Sequence, residues 1–166
     1  MASEWYSLNQ KYISLYQKGQ YGDALTVAEK ALQVAQQTKG PNHPSVAMSL
    51  NNLAALYYTL GQYAQAEPLH KRSLEIYEKT YGPDHFTVAT SLNNLAALYY
   101  TLGQYAQAEP LHKRSLEIYE KAYGLNHPNV AVSLNNLAGV YRKMSREEEA
   151  KALEQRAARI SANGIH

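Results

Sequence analysis

The sequence contains no cysteine, a single tryptophan, a single phenylalanine and no long apolar run. Without cysteine there is no disulfide framework, no thiolate chemistry and no thiol-ligated zinc, so stability must come from packing, and a reducing compartment is tolerated. No window approaches the roughly 20 consecutive apolar residues that span a bilayer, and "MASEWYSLNQ" lacks the basic region and apolar core of a secretory signal. The chain is therefore expected to be soluble and cytoplasmic, with no membrane partner. Charge of one sign is also scarce. The 16 basic and 14 acidic residues are interleaved and sum to +2, leaving no electrostatic footprint for nucleic acid. Catalytic signatures are missing too: no Gly-rich phosphate loop, no HExxH and no nucleophile elbow occurs, so neither an enzyme nor a cofactor is expected.

What the chain has in abundance is repetition. "SLNNLAALYYTLGQYAQAEPLHKRSLEIYEK" runs from Ser49 to Lys79 and recurs letter for letter from Ser91 to Lys121. A shift of 42 residues aligns "LNNLA" at Leu50, Leu92 and Leu134, with a weaker "LNQKY" at Leu8. The units run over 5–46, 47–88, 89–130 and 131–160, and 161–166, "SANGIH", is expected to fray.

Each unit reads as a helical hairpin. Leu50, Leu53, Ala54 and Tyr57 fall at i, i+3, i+4 and i+7, one apolar stripe of a first helix. Gly61 breaks the pattern, and a second stripe follows through Tyr63, Ala66, His70, Ser73, Leu74, Tyr77 and Tyr81. Glu67 with Lys71 and Glu75 with Lys79 form i, i+4 pairs on its solvated side. Pro68 and Pro110 fall inside that second helix and predict a slight bend. The linkers "KGPNHPSV", "YGPDHFTV" and "YGLNHPNV" supply a stopping glycine, Asn or Asp near the next helix, and proline for a first turn. Phe86 replaces that proline once, which predicts a less fixed helix start.

The Leu-x-x-Leu-Ala-x-x-Tyr helix, the "GQYAQAEPLHKRSLEIYEK" helix and the "G-x-x-HP-x-VA" linker together resemble the tetratricopeptide repeat (TPR), in its 42-residue kinesin light chain-like form. The resemblance covers Trp5 to about Ile160. It implies an all-α fold: a single domain over 1–166, a right-handed superhelical solenoid of four helix-turn-helix repeats whose first helices line a concave groove. Lys11 and Ser14 at the start, and Glu147, Glu154 and Ala158 at the end, replace residues that are apolar or aromatic in the middle units, so both ends are expected to act as caps of a complete short array.

By the resemblance, a second stripe on each first helix faces the groove. Its leading members are Asn9 and Tyr16, Asn51 and Tyr58, Asn93 and Tyr100, then Asn135, Arg142 and Lys143. Carboxamides in a row offer donors and acceptors to an extended peptide backbone, and tyrosines add broad contact surfaces with polar tips. The neighbouring Asn52, Asn94 and Asn136 are assigned to holding the stack in register. Arg142 and Lys143 could grip a carboxylate. His43, His85 and His127 are assigned to helix starts and His70 and His112 to packing, because equivalents one repeat apart cannot share a metal ion.

The expected role is a non-catalytic interaction scaffold binding a peptide or partner segment, monomeric, with no nucleic acid partner and no metal. RNA reading by repeats would favour varied residues at equivalent positions, and the middle units are identical. The alternative is an idealised or recently duplicated array with no dedicated ligand, one that could self-associate.

Overall fold

The computed structural model describes residues 3–164. Among them lie eight α-helices and no strand: α1 (Glu4–Gln17), α2 (Tyr21–Lys39), α3 (Pro44–Thr59), α4 (Tyr63–Tyr81), α5 (Phe86–Thr101), α6 (Tyr105–Tyr123), α7 (Pro128–Lys143) and α8 (Glu147–Asn163). The chain divides into two compact units, one ending at Thr80 and the other beginning at Tyr81. In the first, α1 packs on α2 and α2 on α3, while Ser73 of α4 donates to the Ala47 carbonyl of α3 at 2.8 Å. In the second, α5 packs on α6, α6 on α7 and α7 on α8.

The starts of α3, α5 and α7 share one device. His43, His85 and His127 sit in extended conformation, and each Nδ1 accepts the amide hydrogen two residues on, at 3.1 Å. This satisfies one of the donors that a helix leaves unpaired at its N-terminus. Phe86 does not loosen its helix: His85 keeps φ −79° and ψ 145°, the same as His127 before Pro128. The histidine cap fixes the start, so the proline is dispensable. The Asn or Asp of each linker is not the capping residue.

Burial follows the repeat. Ala24, Ala66, Ala108 and Ala150 occupy the same place in the four second helices and are wholly buried. A side chain no larger than a methyl lets neighbouring helices approach closely. Leu56, Leu98 and Val140 fill the matching place on α3, α5 and α7 and are also wholly buried, a burial worth about 1.5–3 kcal/mol for each such side chain. Around Tyr12, Ala24, Val27, Ala28, Leu53 and Leu56 forms the core of the first unit; Leu116, Val130, Leu134, Leu137, Tyr141 and Ile160 are prominent in that of the second. Lys11 and Ser14, at the places of Leu53 and Leu56, are exposed and half-buried respectively.

Both α4 and α6 run unbroken through their prolines. The carbonyls freed of a partner belong to Ala64 and Ala106, which are exposed and so can be hydrated. At the other end, α8 extends to Asn163, further than the expected frayed tail allows. Buried Ile160 anchors its last turn, and Ser161 Oγ donates to the Ala157 carbonyl at 3.2 Å. The expectation for residues 165 and 166 lies outside the described residues.

Candidate functional site

The first asparagine of the "NN" pair is tied into its own hairpin in the two middle repeats. His70 on α4 is buried, with Nδ1 3.2 Å from Asn51 Oδ1 on α3; His112 on α6 repeats the contact with Asn93 on α5 at 3.1 Å. With the carboxamide oxygen accepting, the imidazole Nδ1 carries the hydrogen. Burial pushes both imidazoles down to about 4, so they stay neutral near pH 7. Asn51 and Asn93 remain half-buried.

Asn9 departs from the expected row. It is 7 % exposed, and its Oδ1 accepts from Asn52 Nδ2 at 3.2 Å, while Tyr12 donates from its hydroxyl to the Asn52 carbonyl at 3.2 Å. These bonds place Asn9 in the seam between α1 and α3, where it faces its neighbours and not the surface. Asn135 is exposed on α7; where His112 stands in the preceding hairpin, the last one has Glu154.

The tyrosines recur with a partner of their own. Tyr16 meets Tyr21, Tyr58 meets Tyr63 and Tyr100 meets Tyr105 edge to face, with ring centroids 5.4, 5.3 and 5.4 Å apart. Each pair braces the turn of its hairpin. Tyr16 and Tyr100 are half-buried and Tyr58 is exposed; the Tyr16 hydroxyl lies 3.0 Å from Thr59 Oγ1, joining α1 to α3. In the last hairpin the same two places hold Arg142 and Glu147, and they form an ion pair. The Arg142 guanidinium also grips Glu154 through Nε at 2.8 Å and Nη2 at 2.6 Å, which holds that carboxyl below its ordinary range. Arg142 is thus already committed to two carboxylates. Lys143 is exposed beside it.

In the second unit the row borders a cavity of about 110 Å³ lined by Asn93, Tyr119, Asn129, Val132 and Ser133. Ser133 Oγ is buried and makes no hydrogen bond among the described residues, whereas Val132 is 57 % exposed. Of the residues expected to form the site, Asn93 alone lines this cavity. Val132 was legible as a candidate: it lies three residues before Asn135, on the same face of α7. Tyr119 comes from a second helix, and no pattern within the first helices points to it. Asn94 and Asn136, assigned to register, are exposed. No three His, Asp or Glu residues converge in a way that could hold a metal among the described residues.

The tetratricopeptide repeat pattern matches residues 8–79, 47–121 and 87–163, which together take in nearly the whole chain. The chain belongs to the tetratricopeptide repeat family. TPR proteins are generally protein-interaction scaffolds. Among solved structures, BtubC (BKLC) from P. vanneervenii is similar at 29% identity and a TM-score of 0.86, over 93% of this chain and 63% of that one. This TPR chain thus spans less than two thirds of that relative. A kinesin light chain-like protein of Podosopora anserina with nearly identical TPR-like repeats is similar at 27% identity and a TM-score of 0.85, over 96% of this chain and 76% of that one. No curated protein matches the chain. No helix among the described residues is long and apolar enough to cross a membrane.

Proposed function

We propose that the chain is a non-catalytic, cytoplasmic, monomeric interaction scaffold that holds an extended peptide or partner segment against its first helices. In the first unit Asn51, Tyr16 and Tyr58 would contact it; in the second, Asn93, Tyr100, Asn135 and Lys143 would, with Arg142 able to take part only by exchanging one of its carboxylate partners. The observation that carries this reading is the cavity beside Asn93. It combines a half-buried carboxamide, an exposed apolar side chain and a buried hydroxyl with no partner among the described residues. An extended peptide offers what those groups lack, amide hydrogens and carbonyls at regular spacing with a small side chain between them.

A random peptide display screen against the folded protein tests it. Enriched peptides should lose capture when Val132→Arg blocks the cavity, because Val132 is exposed and its replacement leaves the core intact. Failure to enrich any sequence, or capture indifferent to that change, removes the reading. The letter-for-letter duplication of Ser49–Lys79 favours a second one, an array with no dedicated ligand. Sedimentation over a concentration series separates its self-associating form from a monomer.

A further inference from the structure

The first unit holds a cavity of about 460 Å³ at the N-terminal end of α1, with Glu4, Trp5, Val34, Thr38, Lys39 and His43 in its walls. The repeats differ at its rim, where Lys39 stands. Tyr81 and Tyr123 stand one and two periods beyond Lys39, and each ring stacks on the capping histidine that follows: Tyr81 on His85 at 4.6 Å and 21°, Tyr123 on His127 at 4.3 Å and 18°. In the first linker the tyrosine is replaced by Lys39, and no ring stacks on His43 among the described residues. The walls are nonetheless set. His43 Nδ1 accepts from the Ser45 amide at 3.1 Å, and Trp5 Nε1 donates to Ser49 Oγ at 2.9 Å, so both rings are held in place.

We propose that this cavity is a subsite for one phenol ring, supplied by a tyrosine side chain of a partner peptide. The chain itself shows a phenol ring stacked on the capping histidine twice, on His85 and on His127. A flat ring gains from stacking, and the hydroxyl meets the polar groups of Glu4, Thr38 and Lys39. The volume is in the range of pockets that bury small ligands. The proposal is independent of the first-helix row, since it concerns the opposite end of α1 from Tyr16.

Trp5 is the single tryptophan, which makes its fluorescence a local reporter. The probe is N-acetyltyrosinamide, with excitation where tyrosine does not absorb and N-acetylalaninamide as the control. A saturable change at Trp5, absent with the control, is expected. Lys39→Tyr gives the first linker its own ring and should weaken the probe by about tenfold or more with helicity unchanged. His43→Asn keeps a capping acceptor but removes the stacking ring, and should do the same. No saturable change, or one that survives Lys39→Tyr in the folded protein, overturns the proposal. A Trp5 signal that varies with protein concentration alone and vanishes in Lys39→Tyr assigns the cavity to a second copy and also overturns it.

Discussion

Ser145 has φ 58°, the one positive φ outside glycine among the described residues. Gly19, Gly61 and Gly103 hold the equivalent turn in the other hairpins at 72°, 74° and 74°. A side chain costs about 1–2 kcal/mol in this conformation, partly offset by the greater entropy that glycine loses on folding. Ser145→Gly should therefore stabilise the chain by about 0.5–1 kcal/mol, seen as a higher midpoint in urea denaturation. Asn51 makes the opposite case. Its removal leaves the buried His70 Nδ1–H without its acceptor, so Asn51→Ala should cost about 1–3 kcal/mol in the same measurement. Asn135→Ala, at an exposed place whose hairpin has Glu154 in place of the histidine, should be nearly neutral. Asn51 and Asn135 look alike in sequence and differ in consequence because of what stands 19 residues away, His70 for the one and Glu154 in its place for the other.

At the scale of the element, a hairpin is assembled from paired devices, and they change together. The last one exchanges the edge-to-face tyrosines for Arg142 and Glu147, and Glu154 in place of a histidine supplies a further carboxylate to the same guanidinium. The helix pattern, the hairpins and the role of the linker histidines were all legible in the sequence, since each is local. Their chemistry as caps is directly testable. His127→Ala removes the acceptor for the Asn129 amide and the ring under Tyr123, and should cost about 0.5–2 kcal/mol. His127→Asn restores an N-cap acceptor and should recover a large part of that loss. Thermal denaturation of the two variants beside the parent chain measures both. If alanine and asparagine lower the midpoint equally, the stacking and not the cap is the stabilising contact.

For the molecule as a whole, the buried histidines set a pH dependence, with His70 in one unit and His112 in the other. Both have pKa values lowered to about 4 in the folded chain from an ordinary 6.5. Between those values the unfolded chain binds more protons, so stability rises with pH across that window. It is fully present above the unfolded value of 6.5, declines as pH falls through the window, and levels off below about 4 as far as these groups are concerned. Each contributes up to about 3 kcal/mol to the difference. Urea midpoints measured over the window should fall steeply for the parent chain and much less for the His70→Gln, His112→Gln double variant. An equal decline in both would assign the effect to the carboxylates.

The sequence by itself determined the 42-residue period, the helical hairpin, the apolar stripes and the family. Those properties rest on interactions within a few residues, and repetition states them several times over. Only the tertiary structure decided that Asn9 lies in a seam while Asn135 is exposed, that Arg142 is already paired, and that rings stack on His85 and His127 while none among the described residues stacks on His43. The physical reason is distance along the chain. Whether a polar group is free to meet a ligand depends on what a neighbouring helix brings to it, and equivalent positions meet different neighbours.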